Sequence, residues 1–469
     1  MNKQTAYCLL SFVVLVCHAC IGLAQTEKAI AFPGALGYGK YATGGRGGEI
    51  LLVTNLEDDG PGSFRAAAEA KMPRIIVFTI SGTIRLKTKL SIAANATIAG
   101  QTAPGDGICL ADMPVLLGGN NIIVQYLRFR MGDRYQNLGM VNGSGSDDAF
   151  GGSKRKQIII DHCSMSWSTD EVCSIYGGDS TTIQWCMIAE PLNYSYHFET
   201  GDKDFEKHGY GGIWGGQHLS AHHNLFAHCV SRNPRFNGAR LGATQELVDF
   251  RNNVIYNWGN NSVYGGEGGQ YNIVGNYYKP GPSTSKRVNA RIVNPSSTGE
   301  GKGYGQFFVA QNQVAGNDQV TTNNMQGVEF SESLHQSAID TVIVKHPFLT
   351  ESMPMQSAYD AYLAVIAGVG ASYKRDTLDL RIIKNVLETT GKIIDVQGGY
   401  AHGTSFDQTI KAWPSLKSEK APMDTDLDGI PDVWEKMHGL NPHNKADAKL
   451  STINPLYNNI EVYIHSITK

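Results

Sequence analysis

Short runs of aliphatic and aromatic residues recur through the middle of the chain, and each run contains a polar turn. The runs lie at 121–129, 157–165, 182–188, 222–226, 250–255 and 273–278. One position can be matched in all of them, because a large apolar residue always follows it two places later. The matched residues are Leu127, Cys163, Cys186, Asn224, Asn253 and Asn276, separated by 23 to 38 residues. Such a period is typical of a solenoid whose coils carry loops of variable length.

Asparagine at the matched position of three successive coils has a physical purpose. Side-chain amides that stack in register can hydrogen-bond to one another and satisfy the backbone of the turn. Parallel coils place identical turn residues over one another at about 4.8 Å, so the pattern predicts an all-β fold, a right-handed parallel β-helix. An antiparallel sandwich would instead need hairpin turns every ~8–12 residues, and these are mostly missing.

The sequence before and after the repeat predicts helices. Residues 61–70 have a helical pattern with Ser63 as the N-cap, and an alternating strand follows from Arg74. Such a helix would cover the first coil of the solenoid. Two further helical patterns occur at 358–369 and 377–387, after a polar, irregular stretch that we assign to loops and the last coils.

The first 24 residues have the pattern of an export signal, with a basic start, an apolar core and small residues before Gln25. We expect a secreted protein, located outside the cell, in the periplasm or at the cell surface. Cys20 leaves lipid anchoring open, although Cys17 stands where a lipidation signal usually has Leu. No later segment is long and apolar enough to span a membrane. The remaining chain divides into a β-helix domain, 25–415, and a small module, 416–469.

Charge and cysteine content narrow the possible partners. The formal net charge is −3, which gives no general attraction to nucleic acid. A polyanionic partner would have to be attracted by a local group of Arg, Lys and bound cation. Five cysteines follow the export signal, and this odd number favours buried free thiols over a disulfide framework. We expect a monomer.

The small C-terminal module contains an acidic loop with calcium-binding spacing. In a twelve-residue calcium loop, oxygen ligands lie at positions 1, 3, 5, 7, 9 and 12, and a turn glycine lies at position 6. The glycine here is Gly429, and the candidate ligands are Asp424, Asp426, Asp428, the Ile430 carbonyl, Asp432 and Glu435. The loop resembles those of dockerins and thrombospondin-type repeats. Because dockerins pair two loops and only one is found, we expect a structural calcium site; a solvated acidic turn is the alternative.

Two short motifs in the repeat resemble signatures of polysaccharide lyase family 1, the pectate lyases. The first is an aliphatic run ending in Asp161-His162, and the second is Arg232-Asn-Pro234-Arg235. The resemblance extends from about residue 30 to about residue 280. It implies calcium-assisted β-elimination of 4-linked polygalacturonate or pectin, with 4,5-unsaturated products.

The resemblance also implies roles for residues in successive coils. Arg232 falls on the position of the family's catalytic arginine, the proposed base at C5. Asp148 and Asp170 fall on calcium-ligand positions. Ser174 replaces a further acid of the family, which either weakens calcium affinity or shifts a ligand role to Glu171 or Asp147. A guanidinium is almost always protonated, so Arg232 could instead stabilise charge while another group or hydroxide takes the proton.

The resemblance predicts substrate-binding residues less directly. Asn237 stands where the family has a second arginine, so Arg235 or Arg240 could replace it. Lys207 lies near the family's substrate-binding lysine. The Asp161-His162 pair is expected to be structural. For Arg128, Arg130 and Arg134, both lining of the cleft and simple surface positions remain open.

Three alternatives remain. A lyase of methyl-esterified pectin would carry basic residues at the calcium site, where this chain has Asp148 and Asp170. A pectinesterase or a polygalacturonase would share the solenoid, but the polygalacturonase would need clustered acid and base carboxylates, for which Asp147-Asp148 is the only hint. A non-catalytic β-helix that binds polysaccharide would not need Arg232 beside acids in adjacent coils.

Overall fold

The computed structural model describes residues 28–135, 147–199, 201–241, 245–297 and 303–468. Its strands are β1 (Glu49–Val53), β2 (Arg74–Phe78), β3 (Gly82–Arg85), β4 (Leu90–Ile92), β5 (Ala96–Ala99), β6 (Ile108–Ala111), β7 (Val115–Leu117), β8 (Ile122–Gln125), β9 (Arg128–Arg130), β10 (Phe150–Ser153), β11 (Lys156–Asp161), β12 (Ser164–Ser166), β13 (Cys173–Gln184), β14 (Met187–Ala189), β15 (Ile213–Gly216), β16 (Leu219–His222), β17 (Leu225–Ala227), β18 (Arg235–Phe236), β19 (Leu247–Arg251), β20 (Val254–Tyr256), β21 (Val263–Gly265), β22 (Gln270–Val274), β23 (Tyr277–Lys279), β24 (Val293–Pro295), β25 (Gln306–Ala310) and β26 (Gln313–Val314). The helices are α1 (Phe64–Ala68), α2 (Asp318–Thr322), α3 (Gln336–Val342), α4 (Ala358–Gly368), α5 (Thr377–Glu388), α6 (Phe406–Thr409), α7 (Asp432–His438) and α8 (Asn459–Ser466).

The strands form three parallel sheets, and the chain visits them in turn. Sheet A contains β1, β2, β5, β8, β11, the second part of β13, β16, β19, β22 and β25. Sheet B contains β3, β6, β9, β12, β14, β17, β20, β23 and β26. Sheet C contains β4, β7, β10, the first part of β13, β15, β18, β21 and β24. The predicted right-handed parallel β-helix is confirmed, with aliphatic and aromatic side chains of successive coils filling its interior.

The asparagine ladder forms at the turn between sheets A and B. Asn224 Nδ2 donates to Asn253 Oδ1 at 2.9 Å, and Asn253 Nδ2 donates to Asn276 Oδ1 at 3.0 Å. The ladder continues through Asn312 to Asn324, two rungs further than the sequence predicted. Each acceptor oxygen also takes a backbone N–H of the preceding coil, so the buried turns are satisfied.

The residues beside the ladder form a second stack, made of rings. His162 lies between Tyr126 and Trp185, with ring centroids 4.8 and 5.7 Å away, and Trp185 stacks on His223 at 4.3 Å. Asp161 accepts hydrogen bonds from Gln125 and Gln184 of the adjacent coils. The Asp161-His162 pair therefore holds neighbouring turns together, as expected.

The predicted helices are present and cover the solenoid. Ser63 Oγ accepts the Ala66 N–H at 3.2 Å as the N-cap of α1, whose Phe64 enters the core. Helices α4 and α5 pack on sheet B. The α5 segment also corrects the expectation for Arg128 and Arg130, which neither line a cleft nor coat the surface.

Arg128 and Arg130 are buried, at 1% and 0% exposure, because they pair with carboxylates of α5 and its N-cap. Arg130 Nη2 lies 2.9 Å from Asp376 Oδ1 and 2.8 Å from Asp379 Oδ1. Arg128 Nε lies 3.2 Å from Asp376 Oδ2. Arg134, in contrast, is partly exposed and pairs with the buried Asp112 at 2.8 Å.

The C-terminal module packs on the first strands of sheet A, where Ile430, Ile460 and Ile464 contact Ile75 and Val77. The boundary at 415/416 stays a prediction. The export signal and Cys20 lie outside the described residues. Within the described ranges, no helix is long and apolar enough to cross a membrane. The five predicted free thiols are confirmed as buried free cysteines: Cys109, Cys163, Cys173, Cys186 and Cys229.

Candidate active site

The predicted cleft residues meet because they occupy the same turn of successive coils, just before the strands of sheet C. Ala149 N–H donates to the Glu171 carbonyl at 3.1 Å, and Val172 N–H donates to the Tyr210 carbonyl at 3.1 Å. Tyr210 in turn pairs with Ser231 in parallel register. Residues separated by more than twenty positions in the sequence are therefore stacked at the spacing of adjacent strands.

Three carboxylates form the centre of this site. One ligand oxygen of each of Asp148, Asp170 and Glu171 lies within 4.8 Å of the others. Asp148 Oδ1 also accepts the Glu171 N–H at 3.1 Å. Burial, and then the neighbouring Asp170, raise the pKa of Asp148 well above its ordinary value. Bringing these acids together is costly unless a proton or a cation neutralises them.

Arg232 is the cation that the fold itself places beside these acids. Its Nη1 contacts Glu171 Oε1, and its guanidinium lies over the Tyr210 ring, 4.5 Å from the centroid. Arg232 adopts φ 56°, a left-handed conformation that a non-glycine residue rarely takes. The side chain remains 20% exposed, so a substrate can reach it.

Ser174 replaces the family's acid without leaving a gap. Its Oγ accepts the Ile213 N–H at 3.1 Å, and its side chain hydrogen-bonds to Asp148, which partly offsets the rise in the pKa of that carboxyl. Asp147 forms a salt bridge with Lys89 at 2.8 Å. Of the two residues that could replace the missing ligand, Glu171 is therefore the one in the carboxylate group.

The predicted substrate-binding residues are distributed differently. Lys207 is exposed. Arg235 is held by the buried Glu267, with Nη2 2.8 Å from Oε1, and lies over the Tyr264 ring. Arg240 lies in the turn Gly238–Leu241, and its side chain is outside the described residues.

Histidines that the sequence analysis did not assign lie against the carboxylates. His208 Nε2 is 2.7 Å from Asp170 Oδ1, and the His208 ring contacts both Tyr210 and His197. Burial, and then His208, lower the pKa of His197. The coil register could have predicted this contact. Tyr210 pairs with Glu171 of the preceding coil, and His208 lies two residues before Tyr210.

A groove of about 480 Å³ adjoins Arg232 along the later coils of sheet C. Tyr210, Ser231, Tyr264, Arg287 and Arg291 are among the residues that line it. Arg291 and Arg287 both pair with Glu329, at 2.6 and 3.3 Å, and the Arg287 side chain is 68% exposed. The sequence analysis missed these arginines because they lie on a segment without a repeat.

A second carboxylate group lies in the C-terminal module. Asp424, Asp426 and Asp428 form one cluster with ligand oxygens within 4.8 Å, and Asp428, Glu435 and Asp447 form another. Both oxygens of Asp426 and of Glu435 lack a hydrogen-bond partner although they are buried. Burial and the neighbouring acids raise the pKa of Asp428 to about 7 and that of Glu435 to about 8.

Only some of the predicted ligands of the C-terminal loop lie in this carboxylate group. Asp432 accepts the Thr425 N–H and hydroxyl at 2.7 Å each, and the hydroxyl's hydrogen bond lowers its pKa. The side chain of Ile430 is buried in the apolar contact with sheet A. Asp447, which lies beyond the loop, joins the group instead and was not predicted. The unpartnered oxygens fit a calcium ion, which takes six to eight oxygen ligands.

The geometry is that of a parallel β-helix with grouped carboxylates beside an arginine, next to a groove, and comparison with known proteins assigns its class. The chain is 33% identical over 469 residues to "Probable pectate lyase C" of Aspergillus fumigatus, covering 98% of both chains. It is 35% identical over 459 residues to the protein of that name from Aspergillus terreus, covering 95% of this chain and 96% of the relative. The chain belongs to the pectate lyase family, and it is a polysaccharide lyase.

No family model matches the chain. Among solved structures, the major allergen from cedar pollen aligns with a TM-score of 0.47 at 17% identity, over 72% of this chain and 92% of that chain.

Proposed function

We propose that this chain cleaves α-1,4-linked polygalacturonate by calcium-assisted β-elimination and releases 4,5-unsaturated products. The observation that carries the proposal is the contact of Arg232 with Glu171, within the group that Glu171 forms with Asp148 and Asp170. A cation and several carboxylates at one turn match the needs of a reaction that removes a proton next to a carboxylate.

The three acids would hold the calcium ion. Carboxylate oxygens are the ligands that calcium prefers, and the raised pKa of Asp148 reflects charge that an added cation would neutralise. When bound, calcium supplies positive charge that offsets the uronate carboxylate and the charge developing next to it. Ser174 would orient Asp148 by its hydrogen bond.

Arg232 would act at C5 of the uronate. In the elimination the C5 proton leaves, its electron pair forms the C4–C5 double bond, and the C4–O bond breaks with its electrons on the leaving oxygen. Glu171 and the Tyr210 ring would orient the guanidinium toward C5. Because a guanidinium is a very weak acid, the same geometry also suits charge stabilisation while hydroxide takes the proton.

Lys207, Arg235 and Arg240 are proposed to bind the uronate carboxylates. The exposure of Lys207 supports this role, whereas the pairing of Arg235 with Glu267 favours an indirect role in shaping the groove. The exposed Arg287 adds a cation farther along the groove. Secretion of a monomer is proposed from the export signal and the repeat alone.

The C-terminal loop is proposed as a structural calcium site of the dockerin or thrombospondin type. Asp424, Asp426, Asp428, Glu435 and the Ile430 carbonyl would be ligands, and Asp447 is proposed in addition. Asp432 would contribute through Thr425, because its own oxygens accept hydrogen bonds from that residue.

The deciding experiment is an absorbance assay for unsaturated product on polygalacturonate, with calcium and with chelator. Product that requires calcium is expected. Full activity in chelator, with a preference for methyl-esterified pectin, would identify a pectin lyase. Binding of polygalacturonate without any product would identify a non-catalytic β-helix.

A further inference from the structure

Two buried imidazoles lie against one side of the cleft carboxylates. His197 and His208 are 3% and 6% exposed, and their rings stack with centroids 3.8 Å apart. One ligand atom of each histidine and one of Asp170 all lie within 4.8 Å of one another. Asp170 therefore belongs to two groups: an all-oxygen group with Asp148 and Glu171, and a mixed group with the histidines.

The ring nitrogens of the mixed group are poorly satisfied. Both His197 nitrogens and His208 Nε2 lack a partner in hydrogen-bonding geometry, although His208 Nε2 approaches Asp170 Oδ1 at 2.7 Å. A buried polar atom without a partner costs about 1–3 kcal/mol. A cation at this point would accept one nitrogen lone pair from each of the two imidazoles.

The donor set of the mixed group selects a kind of cation. Imidazole nitrogen suits zinc and its neighbours in the first transition series, whereas calcium takes oxygen ligands. Two histidines and one carboxylate are a common three-ligand set for zinc. Glu206 Oε1 lies 3.4 Å from His197 Nε2 on a half-exposed side chain, so it can supply a fourth ligand or leave that position to water.

We propose a second cation site, formed by Asp170, His197 and His208 with Glu206 at its mouth, that binds zinc-class divalent cations. An ion held there engages Asp170 and so competes with calcium for that carboxylate. The competition rests on the proposed calcium role of Asp170, whereas the binding itself does not.

Binding is tested on the full-length, metal-freed protein with Co²⁺ alone as the probe. Four-coordinate Co²⁺ with nitrogen ligands absorbs visible light far more strongly than hydrated Co²⁺, and added Zn²⁺ should remove the band. His197→Ala and His208→Ala should each weaken Co²⁺ binding about tenfold or more, with His197→Gln as a second variant that keeps the side-chain bulk.

His402→Ala is the matched control. The His402 ring packs on Tyr194 and Tyr196 of the same loop region, with centroids 4.5 and 4.9 Å away. It should bind Co²⁺ like the wild type. Equal Co²⁺ binding by the wild type, the His197 variants and His402→Ala, or no visible band in any of them, would overturn the proposal.

The competition is tested separately by measuring the calcium needed for half-maximal activity as Zn²⁺ is added. The calcium requirement should rise with Zn²⁺ in the wild type and rise less in His197→Gln. A Co²⁺ band in a protein without lyase activity would refute the proposed function and support the metal site. A calcium requirement that Zn²⁺ leaves unchanged, despite a Co²⁺ band, would overturn the shared use of Asp170.

Discussion

Two carboxylate groups of this chain have similar acids but different surroundings. In the cleft, Glu171 contacts Arg232 and Asp170 contacts His208, so positive or neutral protein groups already occupy part of the space around the acids. In the C-terminal module, Asp426 and Glu435 have buried oxygens without partners, and no salt bridge among the described residues reaches them. The first group suits a cation that also binds the substrate and exchanges with solvent. The second group suits a cation that remains bound to the protein.

The largest effect that tests this contrast should come from Arg232. Arg232→Lys keeps a positive charge near Glu171 but loses the planar fork, so turnover should fall by about 10²–10⁴ while binding of polygalacturonate changes little. The measurement is initial rate and substrate affinity at saturating calcium. Arg235→Lys is the control, because Arg235 is held by Glu267 and should lose far less. Near-normal turnover of the Arg232 variant would remove this residue from the chemistry.

The second-largest effect should come from removing a proposed ligand of the cleft calcium ion. Asp148→Asn keeps the side-chain shape but removes a charged oxygen ligand, so the calcium needed for half-maximal activity should rise about 10–100-fold, with partial rescue at high calcium. The control is Asp147→Asn, the adjacent acid, which pairs with Lys89 and should leave the calcium requirement near that of the wild type. Equal shifts in both variants would contradict the assignment of the ligand to Asp148.

The C-terminal group should respond in stability rather than in rate. A cation bound only to the folded state contributes about 2.7 kcal/mol at a hundredfold excess over its Kd. The double change Asp426→Asn with Glu435→Gln removes this gain but also removes repulsion, so it should melt lower than the wild type in calcium and higher in chelator. Asp432→Asn is the control, since loss of its bonds to Thr425 should destabilise by a similar amount in both conditions. Loss of lyase activity with unchanged melting would place this group in catalysis.

The same group sets a pH dependence in the calcium-free protein. The pKa of Glu435 rises from its ordinary value of 4.5 to about 8, so the folded state holds a proton that the unfolded state releases. Stability should therefore fall as pH increases from about 4.5 to about 8. Calcium should remove this fall, and thermal melting across that range measures it.

A smaller effect is expected from a carboxylate outside both groups. Glu246 accepts hydrogen bonds from Gly238 N–H and the Tyr271 hydroxyl, and burial raises its pKa to about 7. The protonated Glu246 carboxyl stabilises the folded state at low pH, and this stabilisation is lost as pH rises to about 7. Glutamine stays neutral at every pH, so Glu246→Gln should gain about 1–2 kcal/mol of stability near neutral pH. Glu267→Gln, which breaks the Arg235 pair, should instead lose stability. A variant of Glu246 with the pH profile of the wild type would contradict the assignment.

Sequence reasoning succeeded wherever the repeat carried information. The matched asparagines predicted the stacked coils, and the family resemblance assigned Arg232, Glu171 and Asp148 to successive coils, which the fold brings to one turn. Neither the repeat nor the family resemblance predicted the contacts that are made by segments without a repeat. Asp376 and Asp379 meet Arg130 from nearly 250 residues away. Asp447 likewise reaches Asp428 by packing that no local spacing encodes. His208 was missed because a shift of one residue changes which side chain faces the carboxylates. His208 faces them, whereas its neighbour Lys207 is exposed.

The pairing of Arg128 and Arg130 with Asp376 and Asp379 also governs the order in which the chain can mature. A solenoid can in principle add coils one by one as the chain emerges, since each coil contacts only its neighbours. Here one early coil carries two guanidinium groups on β9 that become buried only when α5 arrives, and a buried charge without its partner costs several kcal/mol. Native closure of this coil therefore waits for residue 379. A chain that ends before that point lacks α5, which covers sheet B. Successive truncations from the C-terminal side should therefore abolish folding abruptly rather than remove stability coil by coil.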